Sequence, residues 1–74
     1  MIALSPRERQ VLDALLAGLR GKDICALLSL NARTVSSHKA AAYRKLGVVN
    51  SVDMVKAAIR LGFTSPDPAP RNDL

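Results

Sequence analysis

Aromatic residues are nearly missing from this 74-residue sequence: Tyr43 and Phe63 are the only ones, and there is no tryptophan. The flat rings on which single-stranded nucleic acids stack are therefore missing, so a duplex is the better polyanionic partner. Cysteine occurs once, as Cys25, which cannot pair within the chain, and no CxxC pair or His/Cys cluster offers a metal site. We expect a reducing, intracellular compartment, no metal and no cofactor. No apolar run approaches the roughly 20 residues that span a bilayer, and the N-terminus lacks the apolar stretch of a signal peptide. The expectation is a soluble chain with no membrane partner. No segment alternates apolar and polar residues with β-branched enrichment, so the fold is read as all-α. No Ser, Cys or carboxylate set stands around His38 at a catalytic spacing, and enzyme activity is not expected.

What the sequence does contain is helix punctuation. Ser5-Pro6-Arg7-Glu8 combines a capping serine, a proline at the first helical position and a glutamate three residues on, which predicts a helix over 6–17 with Gly18 as its stop. Val11, Leu12, Leu15 and Leu16 form its apolar face. Glu8 falls on the same face, so it is predicted to be a cap at the end of the core or half of a buried ion pair. Leu19 is placed to pack on Ile24 across the start of a second helix, whose N-cap, Arg20 or Gly21, is weak, although Asp23 suits the dipole. Ile24 and Leu28 share a face, with Cys25 as a small core residue beside them. Ser29, Leu30 and Asn31 interrupt the pattern, Leu30 plugging the corner and Asn31 capping a third helix.

On that third helix the 100° step gathers Val35, Ala42, Tyr43 and Leu46 on a core side and Arg33, Ser37, Ala40, Ala41 and Arg44 on the opposite one. The outer side holds small residues between two arginines, so the helix backbone can approach a duplex closely, a geometry that suits a major groove. Gly47 closes the helix. Asn50 or Ser51 caps a fourth, running to about Leu61 with Gly62 as its stop. The fourth helix carries two apolar groups, Val52, Val55, Ile59 and Phe63 against Met54, Ala58 and Leu61. One core needs only one of them, and we assign Met54, Ala58 and Leu61 to a homodimer contact. The stretch 64–74, with three prolines, is predicted to be a disordered tail behind a single domain over 1–63.

Charge is distributed unevenly. Between positions 20 and 45, Arg20, Lys22, Arg33, Lys39, Arg44 and Lys45 stand against Asp23 alone, which accounts for the whole net charge of +5, because the remaining cations and carboxylates cancel. A localised basic field attracts a polyanion by counterion release. Arg33, Ser36 and Ser37 are assigned to direct contact with double-stranded DNA, beside the small Ala40. Thr34, Arg44 and Lys45 are assigned to phosphate clamping, and Lys22 to the backbone across the groove. Lys39 lies between Val35 and Tyr43, so its stem is expected to pack while the amine reaches a phosphate. His38 is read as a packed or hydrogen-bonded residue that orients the helix.

With LSPRERQVLDALLAGL, KDICALLSLNARTVSSHKAAAYRKLG and NSVDMVKAAI in this order and spacing, the chain resembles the LuxR-type helix-turn-helix domain, also called GerE- or NarL-type, over residues 4–63. The resemblance implies a four-helix domain whose third helix reads the major groove and whose fourth forms the dimer contact in many members. TVSSHKAAAYRKLG looks closest to the effector domains of two-component response regulators. That implies a transcription regulator of the bacterial cytoplasm, nucleoid-associated when bound, with a receiver or sensor domain N-terminal in the full-length protein, of which the present chain is the output part. Three departures stand out: Ser36 and Ala40 replace frequent lysine or arginine, Leu27 occupies a commonly polar position, and Arg20 replaces the usual Ser or Thr cap. Specificity is then expected to rest on Arg33, Ser36, Ser37 and DNA shape. The rival readings are a sigma-factor-like promoter-recognition domain and a helical protein-interaction module that uses Leu27, Met54 and Leu61 and never touches DNA.

Overall fold

In the computed structural model, which describes residues 3–64, the first helix starts as its punctuation requires. The Ser5 hydroxyl accepts from the Glu8 backbone N–H at 3.2 Å while the Ser5 N–H donates to Glu8 Oε1 at 2.9 Å, so two otherwise orphaned donors at the start of α1, Pro6–Leu16, are satisfied reciprocally. Gly18 follows with φ +88. The second helix, α2, spans Gly21–Leu28 from an Arg20 N-cap that makes no side-chain capping bond. Leu19 packs against the cluster holding Ile24, closing the hydrophobic staple.

The turn into the third helix is three residues long. Its first, Ser29, takes φ 56 and ψ 43 as the C-cap of α2, a left-handed conformation that costs a non-glycine residue of the order of 1 kcal/mol. Composition does not flag this. Asn31 then caps α3, Ala32–Leu46, by accepting from the Thr34 N–H at 2.8 Å, and Gly47 ends it at φ +75. Asn50 caps α4, Ser51–Arg60, in the same way through the Asp53 N–H at 2.8 Å.

Two clusters form the core. Val11, Ala14, Ile24 and Val35 join α1, α2 and α3, with Leu15, Leu19, Cys25, Leu28 and Leu30 packed at the edge. Leu12, Leu46, Met54 and Ala57 join α1, α3 and α4, with Leu4, Leu16, Tyr43, Val48 and Phe63 around them. Helix α3 touches all three others, so its orientation is set by the whole domain, and its exposed side is a rigid surface.

The fourth helix corrects an expectation. Met54 and Ala58 were assigned to a dimer contact, yet they are 2% and 0% exposed and belong to the core together with Ala57. The side expected inside is outside: Val52 is 62% and Val55 39% exposed, and Ile59 is half-buried. Both sides are apolar, so hydropathy alone does not order them; fit does. The small Ala57 and the unbranched, adaptable Met54 pack with Leu12 and Leu46. Phe63 was grouped with Val52 by helical phase, but the helix has ended before it. With Gly62 at φ +83 the chain turns back, the Phe63 N–H donates to the Ala58 carbonyl at 2.8 Å, and the ring packs near Leu12. Leu61, third of the assigned dimer residues, is 41% exposed at the helix end.

Among the described residues no helix is long and apolar enough to cross a membrane. The tail expected over 64–74 lies, apart from Thr64, outside the described residues.

Candidate nucleic-acid interface

Helix α3 divides into a buried side, two flanks and an open side. Val35, Ala42 and Leu46 are buried and Tyr43 half-buried, as periodicity requires, while Arg33, Ser36, Ser37, Ala40 and Arg44 are exposed and Ala41 is half-buried. Arg44 follows Arg33 by eleven positions, about 16 Å along a helix axis. The two guanidinium groups therefore bracket a surface of small side chains. Neither guanidinium makes a hydrogen bond or ion pair to a described residue. Thr34 is half-buried at the start of the helix, where its N–H is taken by Asn31.

One flank faces α1, and there Lys45 departs from its expected role. Its amine donates to Glu8 Oε1 at 2.7 Å and to the Ala3 carbonyl at 3.2 Å. The Lys45 ammonium, and after it the Ser5 backbone N–H, hold the Glu8 carboxyl below the usual carboxylate range. Glu8 thus takes both roles left open by sequence, cap and ion-pair partner, and Lys45 is committed to it rather than standing as an unpartnered phosphate clamp. The pairing could not be read from local spacing, because the two residues are 37 positions apart.

The other flank faces α2. Lys39 is exposed, with its Nζ 5.4 Å from the centroid of the Tyr43 ring, so the stem runs along the border of the core as expected and the charge stays outside. Burial raises the Tyr43 hydroxyl above its ordinary pKa, leaving the ring neutral beneath the amine. His38 is half-buried and by helical phase lies beyond Ala42, on the Lys45 side of the helix. Lys22 lies exposed in the first turn of α2, next to the exposed Arg20. Sequence reasoning counted Arg20 as charge but gave it no part in the site; its place at the uncapped N-terminus of α2 makes it a neighbour of Lys22.

Two ion pairs occur among the described residues, Arg9–Asp13 at 2.9 Å and Lys45–Glu8 at 2.7 Å. Arg9 also stacks 4.7 Å from the Phe63 ring centroid and binds the Phe63 carbonyl at 3.4 Å, tying α1 to the end of α4 away from α3. On the α2–α3 unit, Arg20, Lys22, Arg33, Lys39 and Arg44 have no ion-pair partner among the described residues, and Asp23 is the unit's single carboxylate. Five cations around a surface of small residues attract a polyanion and impose little steric barrier to its approach.

Residues 2–58 match the family described as bacterial regulatory proteins, luxR family. Among curated proteins, the chain is similar to the transcriptional regulatory protein UhpA of Escherichia coli, 43% identical over 53 residues that make up 72% of this chain and 27% of that protein. It is likewise similar to the transcriptional regulatory protein FixJ of Rhizobium meliloti, 42% identical over 60 residues, 81% of this chain and 29% of that protein. The chain spans between 7% and 30% of the length of such relatives. No solved structure gives a significant match.

Proposed function

Since this chain belongs to the luxR family of bacterial regulatory proteins, we propose that it binds double-stranded DNA by laying the open side of α3 in the major groove, as the output unit of a longer transcription regulator governed by a receiver or sensor domain. The observation that carries the proposal is the exposure of Arg33, Ser36, Ser37, Ala40 and Arg44 on one rigid helix surface. Arg33 and the two serines, on the N-terminal half of the helix, read base edges; Arg44 at its far end holds a phosphate. Lys22, Arg20 and Lys39 engage backbone phosphates from the α2 side. Lys45 acts indirectly, by anchoring α3 to α1 through Glu8.

Two copies bind two half-sites as a homodimer, and the helix joining them is α4. Because Met54 and Ala58 are inside the domain, the side offered to a second copy is Val52, Val55 and Ile59, of which the two valines are 62% and 39% exposed.

The test is selection of bound sequences from a random duplex pool, followed by a salt titration on the selected site. With five unpaired cations on the unit, log affinity per domain should fall against log salt with a slope of about −4 to −5. A flat titration, or a pool that returns no enriched sequence, defeats the proposal. The same selection returns the half-site spacing, which a monomer would not show. A protein-interaction module that ignores DNA would retain its function in the Arg33→Ala/Arg44→Ala variant; under the present proposal that variant loses duplex binding.

A further inference from the structure

Between α2 and α3 lies a cleft of about 390 Å³, lined by Leu15 from α1, by Gly21, Lys22, Ile24 and Cys25 from α2, and by Ala32, Val35, Ser36 and Lys39 from α3. Its volume falls at the small end of the range of about 300–1,000 Å³ typical of small-molecule sites. The cleft is there because three of its walls are small. A Cβ added at Gly21 would meet nothing within 4 Å, and Ala32 and Ser36 leave the facing side equally low.

The lining has a definite polarity. Leu15, Ile24 and Val35 give an apolar floor continuous with the first core cluster, and Lys22 and Lys39 stand exposed at the rim. Neither lysine has an ion-pair partner among the described residues, and no carboxylate lines the cleft. An uncharged occupant would gain nothing from the two amines, and a cation would be repelled by both. We propose that the cleft binds a small amphipathic anion, a carboxylate carried on an apolar body, with the body on Leu15, Ile24 and Val35 and the carboxylate held at the rim by Lys22 and Lys39. Lys22, Ser36 and Lys39 also belong to the DNA interface proposed above, so an occupant and a duplex compete, and each weakens the other by the same factor. The competition, though not the binding itself, rests on that reading.

The test uses the whole 74-residue chain, isotopically labelled, without DNA at first. Octanoate and 3-phenylpropionate are titrated at constant ionic strength and followed by amide resonances, with octanamide as the uncharged control. The expected result is a saturable change centred on Gly21, Cys25, Ala32 and Ser36 for at least one acid, and the better acid tells an alkyl body from an aryl one. Octanamide should bind at least fivefold more weakly, as should octanoate to the Lys22→Gln/Lys39→Gln variant. Ala32→Leu, placed at the exposed start of α3 and compatible with the helix, should fill the cleft and abolish binding while the circular dichroism spectrum is unchanged. Resonance changes that do not saturate, that centre on Val52–Ile59, or that are as strong with octanamide overturn the proposal. In the second arm, saturating acid should lower duplex affinity at least fivefold; an unchanged affinity overturns the competition. A chain that takes octanoate in the cleft but binds no duplex at all defeats the DNA reading and leaves the cleft proposal standing.

Discussion

Truncating Met54 to alanine separates the two possible orientations of α4. Were Met54 on an outer side, its loss would change stability by no more than about 0.5 kcal/mol, as surface substitutions do. In the structure it is 2% exposed, packed with Leu12, Leu46 and Ala57, and burial of this degree makes Met→Ala cost about 2–5 kcal/mol through lost transfer energy and the cavity left behind. A domain of this size has about 3–9 kcal/mol to lose, taking 0.05–0.15 kcal/mol for each residue. One truncation thus removes a large share of the total, and for so small a domain the melting temperature should drop by about 10 °C or more. The matched control is Val52→Ala, on a residue 62% exposed, which should shift the midpoint by less than about 3 °C. Urea and thermal unfolding followed at 222 nm read both, and repeating them across a tenfold range of protein concentration separates monomer stability from association. If Val52→Ala proves the more damaging at every concentration while Met54→Ala melts with the parent, the assignment of the buried side is wrong, and with it the identity of the surface offered to a second copy.

Ser29→Gly should stabilise the domain by up to about 1 kcal/mol, because glycine takes the left-handed conformation without the steric penalty; equilibrium urea unfolding reads the sign, and a loss would mean that the serine side chain contributes there. Asn31→Ala should cost about 1 kcal/mol by removing the cap at the start of α3, measured in the same way. Glu8 binds its proton less readily in the folded chain than in the unfolded one, so the stability it lends is complete above the ordinary carboxylate range and lost as pH falls through and below it. Glu8→Gln should therefore flatten part of the acid limb of a stability–pH profile, and an unchanged limb would contradict the pairing with Lys45. Lys45→Gln should leave the salt slope of duplex binding nearly unchanged, whereas Arg44→Gln should reduce it by about 1; equal reductions would restore Lys45 to the interface.

Most of the fold was legible because its signals are local. The capping box at Ser5 and Glu8, the caps at Asn31 and Asn50 and the left-handed glycines after α1 and α3 each depend on residues within one turn of one another, and periodicity then placed Val35, Ala42 and Leu46 inside. The exposed side of α3 followed by subtraction. What was not legible depends on partners distant in the chain. Which apolar side of α4 is buried depends on how closely Leu12 and Leu46 approach it, and hydrophobicity ranks Val52 and Ile59 above the alanines that fit. Lys45 looked like its neighbour Arg44 because Glu8 is 37 positions away. The cleft likewise needs α2 and α3 to be set side by side before the absence of bulk at Gly21, Ala32 and Ser36 amounts to a space.

The commitment of Lys45 to Glu8 changes what the positive charge of the unit can do. An amine shared between Glu8 and the Ala3 carbonyl is a fastening between α1, the segment before it and the end of α3, and drawing it to a phosphate would leave the carboxylate, 8% exposed, without its partner beside a polyanion. Under the proposed function that cost weighs against Lys45 in the counterion balance, and the electrostatic attraction is assigned to Arg20, Lys22, Arg33, Lys39 and Arg44. Of these, Arg33 and Arg44 lie on the open side of α3, and the remaining three lie toward α2, around or beside the cleft. On the proposed interface, three of the five cations thus stand on the α2 flank, where Ser36 is also found, and an anion lodged there would screen Lys22 and Lys39 while leaving Arg33 uncovered. It follows that such an occupant should weaken operator and non-specific duplex alike through Lys22 and Lys39, and should relax sequence preference only at the base assigned to Ser36, which also lines the cleft.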